Sequence, residues 1–163
     1  MPTAVSRPTR RSRRFDSLEQ EAFLSVWRTY DRLRIEEDRL FERFDLSPQQ
    51  YNALRILRAA HPSSLPTLRL AEKLVSRAPD ITRLLDKLAR RGLIERERPE
   101  TNRRTVEVRL SEAGMNLLDE VGEPVRECHA RQLGHLSRKK LAELIALLRE
   151  ARGPHENAGG SWG

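Results

Sequence analysis

Cationic side chains gather at two places in residues 67–110, a stretch with twelve basic and seven acidic residues. The first is one side of a helical pattern. Ile81, Leu84, Leu85 and Leu88 make its apolar face, and Thr82, Arg83, Asp86, Lys87 and Arg90 lie opposite or beside it. The second is a pair of short alternating runs, LIERER and TVEVRL, joined by PETNRR, where Arg96, Arg98, Arg103, Arg104 and Arg109 crowd together. An arginine fork on a helix can meet guanine O6 and N7 in a major groove. A cationic hairpin tip fits the narrower minor groove. The helix alone reads equally well as an ordinary amphipathic helix with a solvated charged face. The hairpin shifts the balance, because hairpin tips favour Gly or Asn and two adjacent arginines there point to a job outside the fold.

Such residues need elements to hold them. A helix over TLRLAEKLV packs through Leu70 and Leu74, with Ala71 small enough for a close crossing. A tight turn, SRA, leads to a second helix over PDITRLLDKLARR that stops at Gly92. The turn offers Val75, Ser76 and Arg77 where many helix-turn-helix units carry Gly. Upstream, Ser47-Pro48-Gln49-Gln50 is a helix start with a capping serine, a proline at the first position and a glutamine reaching back. Tyr51, Leu54, Ile56 and Leu57 form that helix's apolar face. A loop at His61–Ser64 follows, and Ser64-Leu65 is placed as a short strand beside the hairpin.

Long helices flank this unit. The first starts near Asp16 or Ser17, with Glu19 completing a capping box for Asp16 or Gln20 for Ser17, and Phe15 as a staple. Leu18, Ala22, Phe23, Val26, Tyr30, Leu33, Leu40, Phe41 and Phe44 give it more apolar surface than a three-helix core needs. Ser111 caps another helix, which Gly122-Glu123-Pro124 should bend or break. Ser137 caps the last, with Leu141, Leu144, Ile145 and Leu148 as its stripe.

Charge and composition narrow the function classes. The net charge of the 163 residues is +7. Residues 1–14 contribute +5 from Arg7, Arg10, Arg11, Arg13 and Arg14, residues 67–110 another +5, and the rest is balanced or slightly acidic. That localisation is a nucleic-acid footprint. Residues 1–14 read as a disordered basic arm, either an inert solvated tail or a DNA-contacting one, and 153–163 as a flexible tail. Cys128 is the sole cysteine, which excludes an internal disulfide and suits a reducing cytoplasm. Its structural reading is a passive thiol, its functional one an oxidation sensor. No apolar run reaches membrane-spanning length, and no secretory leader follows the arginines. His129 and His135 are six apart, the wrong spacing for one helix face, so no metal is expected. Nucleophile-elbow, zinc-protease, phosphate-loop and dinucleotide motifs are missing, so neither an enzyme nor a cofactor is expected.

The ordered set Leu70-Ala71-Glu72-Lys73-Leu74, Ile81-Thr82-Arg83-Leu84, Gly92-Leu93-Ile94-Glu95-Arg96, Asn102-Arg103-Arg104 and Leu110-Ser111-Glu112-Ala113-Gly114 resembles the MarR family of bacterial transcription regulators. The resemblance implies a mainly α fold with a small β-wing, a winged helix-turn-helix over 46–110. Helical dimerisation regions would cover 15–45 and 111–152. The recognition helix would be 78–91 and the wing 93–110. It implies a homodimer, with Phe23, Leu141, Leu144, Ile145 and Leu148 as candidate interface residues. Arg104 matches the family arginine that enters the minor groove, while Asn102 replaces an aspartate that steadies the wing through an ion pair. A looser tip is expected, because the charge-assisted bond is gone.

Candidate contacts follow. Arg77, Thr82 and Arg83 are assigned to the major groove or its edge, Lys87 to phosphate, and Asn102, Arg103 and Arg104 to the wing. Asp80 either accepts from a cytosine N4 or, as the favoured reading, serves as a helix N-terminal charge or a partner of Arg83. Trp27 and Tyr30 are either packing residues or the lining of a site for a small aromatic or phenolic effector, which the family commonly binds. The expected function is sequence-specific binding of double-stranded DNA at a pseudo-palindromic operator, as a repressor released by such an effector. The alternatives are a non-specific architectural DNA binder and a winged-helix adaptor for an acidic protein.

Overall fold

The computed structural model describes residues 15–76 and 80–156. They fall into two compact units, one ending at Ile35 and the other running from Glu36. In the first unit, helix α1 (Leu18–Glu42, which continues into the second) begins at Ser17. Ser17 Oγ accepts from the Gln20 N–H at 3.1 Å, and the Gln20 side chain bonds back to Asp16 rather than to Ser17. Phe23 and Trp27 meet edge to face with centroids 6.1 Å apart. Leu18, Phe23, Val26, Trp27 and Tyr30 all stand exposed, Phe23 at 65%.

The second unit holds the end of α1, then α2 (Pro48–Ala60), β1 (Leu65–Pro66), α3 (Thr67–Lys73), α4 (Ile81–Arg90), β2 (Ile94–Glu97), β3 (Glu107–Leu110), α5 (Glu112–Leu133) and α6 (Arg138–Arg152). The strands form one antiparallel sheet in the order β1-β3-β2, so the short strand beside the hairpin is present, one residue later than the expected Ser64-Leu65. Its core is Leu40 and Phe41 from α1, Leu54 and Leu57 from α2, Leu70 from α3, and Leu85 and Leu88 from α4. Ile94, Val108 and Leu110 from the sheet and Leu118, Val121, Val125 and Cys128 from α5 belong to it too, with Leu46, Ala53 and Leu93. Phe41 stacks on Tyr51 at 4.6 Å, fixing the α1 end on α2.

Caps account for most boundaries. Both halves of the Ser47/Gln50 capping box form, at 3.1 and 2.8 Å. Ser111 Oγ accepts from the Gly114 N–H at 3.0 Å and donates to the Gly92 carbonyl at 2.6 Å. One hydroxyl thereby starts α5 and ties it to the end of α4. Ser137 caps α6 through the Lys140 N–H.

Three sequence expectations need correction. Helix α3 ends at Lys73, because Leu74 turns extended (ψ 141°). The Val75 N–H then goes to Asn52 Oδ1 at 2.9 Å instead of a helix carbonyl. Helix α4 starts at Ile81 rather than in the preceding turn, because Asp80 takes the cap position. Helix α5 runs through Pro124 without a break. The proline removes one backbone bond. Leu118, Val121, Val125 and Cys128 form one buried stripe across it, and packing of both halves on the same core outweighs that loss. In α6 no residue is buried, and Ile145, Leu147 and Leu148 are exposed.

Candidate nucleic-acid interface

Helix α4 is built to show one face. Leu85 and Leu88 are buried and Ile81 and Leu84 half-buried, while Thr82, Arg83, Lys87 and Arg90 are exposed. At its start Asp80 Oδ1 accepts the Arg83 N–H at 2.9 Å, which satisfies an orphan donor and places a negative charge at the positive helix end. This is the favoured reading of Asp80. At its end, Gly92 has φ +68°, a conformation a side chain would strain. The Gly92 N–H bonds the Ala89 carbonyl at 2.9 Å and the Leu93 N–H bonds the Leu88 carbonyl at 3.1 Å, a Schellman stop.

Two arginines tie α4 to its neighbours, Arg91 to the end of α1 and Arg96 to the wing. Arg91 Nη2 donates to the Phe44 carbonyl at 3.2 Å, and Nη1 donates to the Asp45 carbonyl. Asp45 itself is left-handed at φ +52°. Arg96 on β2 reaches Asp86 on α4 at 2.7 Å. In the sequence Arg96 is grouped with the other hairpin arginines, and neither Arg91 nor Asn52 is singled out. Their partners are far away in sequence, and no local pattern marks them.

The wing pairs Ile94 with Leu110, Glu95 with Arg109, Arg96 with Val108 and Glu97 with Glu107. Arg109 bonds its cross-strand neighbour Glu95 at 2.5 Å. The like-charged Glu97/Glu107 pair is eased by Ser64, whose hydroxyl donates to Glu107 Oε2 at 2.8 Å. Two of the five wing arginines are thus neutralised within the fold. Arg98, Arg103 and Arg104 are exposed and form no ion pair among the described residues. At the tip the Asn102 N–H bonds Pro99 O at 3.1 Å, and the Thr105 N–H bonds Asn102 O at the same distance. Asn102 Oδ1 accepts the Arg104 N–H at 3.3 Å, so the residue orders the loop through the backbone, not through a charge.

The remaining candidates sort as follows. Arg77 and the arm 1–14 lie outside the described residues, as does most of the tail. Trp27 and Tyr30 are each 61% exposed and Tyr30 carries Arg34 over its ring, so neither is a core packing residue of this chain. Leu141 and Leu144 are half-buried, while Ile145 is 56% exposed. Cys128 is fully buried, and that burial, with Glu36 next in weight, pushes its thiol pKa up. A sensor thiol needs the opposite. His129 bonds Glu37 at 2.9 Å between α5 and α1, a structural use, and His135 is exposed. No helix among the described residues is long and apolar enough to cross a membrane.

Comparison with known proteins places this arrangement. The MarR family model matches residues 46–106. The transcriptional regulator FarR of Neisseria gonorrhoeae is 31% identical over 106 residues, covering 65% of this chain and 71% of that protein. A MarR transcription factor from Planctomyces limnophilus is 56% identical with a TM-score of 0.67, over 83% of this chain and 98% of the other. The MepR–DNA complex of S. aureus shares the fold, with a TM-score of 0.71 at 22% identity over 82% and 96% of the two chains.

Proposed function

Since the chain belongs to the MarR family, a family of transcription regulators and not of enzymes, we propose that its DNA-binding winged helix acts as a homodimeric, site-specific repressor. In this reading two α4 helices enter successive major grooves of a pseudo-palindromic operator, about one helical turn apart. Thr82 and Arg83 read base edges, Lys87 meets phosphate, and Arg104 enters the flanking minor groove. Bound protein occludes the promoter.

One observation carries the reading. The polar side of α4 and the wing tip keep Arg83, Lys87, Arg98, Arg103 and Arg104 exposed and without an ion-pair partner among the described residues. Other cations of the same unit are paired internally: Arg58 to Asp119, Arg69 to Glu72, Arg96 to Asp86 and Arg109 to Glu95. Exposed cations without an ion-pair partner among the described residues also occur elsewhere, as at Lys73 on α3 and Arg138 and Lys140 on α6, but on α4 and the wing tip five of them gather on the two features that meet DNA in this reading.

Support for the dimer is the apolar surface of the flanking helices. Phe23, Val26 and Trp27 on α1 and Ile145, Leu147 and Leu148 on α6 face solvent. Exposed apolar side chains grouped on one helix, as on each of these two, mark an association site. Trp27 and Tyr30 are suited to stack on a small aromatic or phenolic effector. Such a molecule would release DNA by favouring a non-binding spacing of the two heads.

The test is a salt titration of duplex binding with wild type and Arg83→Ala, using a selected site and a random duplex. Repressor-type reading gives a steep salt dependence with both and a large preference for the site that Arg83→Ala erases. Equal affinity for both duplexes would identify an architectural binder, and no duplex binding would identify an adaptor for an acidic partner.

A further inference from the structure

We propose that the Asp86–Arg96 pair is a positioning device that sets where the wing arginine lies relative to the recognition helix. The inference rests on the DNA-reading function proposed above and assigns these two residues no contact with DNA.

Alternation on β2 puts Arg96 on the same face of the sheet as Ile94, and its cross-strand partner is Val108. Ile94, Val108 and Leu110 are all buried on that face. Arg96 is therefore an arginine on the core side of the hairpin, with its stem along apolar neighbours and its head directed at α4. There it meets Asp86 at 2.7 Å, both side chains being about one-third to two-fifths exposed. Asp86 sits between the two faces of α4, one residue from the exposed Lys87 and one from the buried Leu85. No other ion pair among the described residues joins α4 to the hairpin.

The geometry matters because the recognition helix and the wing must reach two grooves at once. Helix α4 is already fixed at its C-terminal end by Arg91, so its own pose does not depend on Asp86. The hairpin is anchored at its root by Ile94 and Leu110, and the tip is ten residues of loop and strand beyond. A fixed point halfway along β2 limits the angle through which Arg104 can swing. Breaking it leaves the major-groove contact in place and blurs the minor-groove one. The neighbouring pair Glu95–Arg109 lies on the opposite face and joins the two strands to each other, not to α4. It serves as the internal control.

The experiment uses full-length protein on its selected operator, with footprinting by hydroxyl radical for the minor groove and by guanine N7 methylation for the major groove. Asp86→Asn should lose the flanking hydroxyl-radical protection and about tenfold in affinity, while N7 protection under α4 persists. The reciprocal exchange, Asp86→Arg with Arg96→Asp, should restore flanking protection, and Glu95→Gln should never lose it. If Asp86→Asn does not fold, the exchange variant and Arg96→Gln carry the test, the glutamine removing the charge that meets Asp86 and losing flanking protection while N7 protection persists. Flanking protection unchanged in Asp86→Asn, or lost together with N7 protection, overturns the proposal. Failure of the wild type to protect any site would instead overturn the DNA-reading premise.

Discussion

Gly114 and Gly122 lie in the same helix, and substituting alanine at each should move stability in opposite directions. In a helix interior, alanine is favoured over glycine by about 0.5–1 kcal/mol, so propensity alone makes both changes stabilising. At Gly122 an added Cβ meets nothing closer than the end of the Arg126 side chain at 4.0 Å. There the propensity gain should appear, on the order of 0.5–1 kcal/mol. At Gly114 the Cβ would overlap the Leu93 carbonyl oxygen, with the Leu93 carbonyl carbon at 3.2 Å and Leu110 Cδ1 at 2.7 Å, where ordinary contact begins at 3.4 Å. The obstacle is backbone, so a rotamer change cannot relieve it, and α5 must lift off the root of the wing. That motion loosens Leu118 and Val121 and strains the two bonds of Ser111. Overpacking costs about 1–3 kcal/mol, and more where backbone must move. Net of the propensity gain, Gly114→Ala should lose roughly 2 kcal/mol, or about 4–8 °C in Tm for a chain of this size. Thermal and urea unfolding at one fixed protein concentration measures both variants, since association would make Tm concentration-dependent. Gly114→Ala equal to or more stable than wild type would refute the close approach of α5 to the wing root.

Ser111→Ala removes a cap and the bond to the Gly92 carbonyl together, and should cost about 1–2 kcal/mol in urea unfolding. Arg104→Ala should weaken operator binding by about 1–3 kcal/mol and lower the salt slope by about one, read by fluorescence anisotropy. Burial raises the Cys128 thiol pKa, so folding favours the neutral thiol. The stability this gives is fully present below the unfolded thiol pKa of about 8.5 and is lost as pH rises from there through the folded value. Unfolding from pH 7 to 10 should show that loss in wild type and a flatter curve in Cys128→Ala.

Much of the fold was legible because it is encoded locally. Ser47, Gln50, Ser111, Ser137 and Gly92 announce helix ends through neighbours three or four residues away, and the structure uses each of them that way. Pro124 misled for the same reason. Its local cost is real, but it is overruled by a buried stripe that becomes visible only when α5 packs. The site was legible in its residue types and not in their division of labour. Arg96 and Arg104 look alike in sequence, yet one is tied to Asp86 and the other is exposed at the tip without an ion-pair partner. Arg91 and Asn52 gave no signal, because each acts on backbone groups 23 to 47 residues away. Asn102 was read as a weakened partner for a charge, and it is found holding the Arg104 amide.

The most direct test of the central claim is selection of genomic fragments by the purified protein at near-physiological salt, followed by sequencing and competition. Site-specific repression predicts enrichment of a short inverted repeat near promoters, with half-sites about one helical turn apart, and its loss on Arg83→Ala. Uniform recovery of all fragments, or enrichment that survives Arg83→Ala, would contradict it.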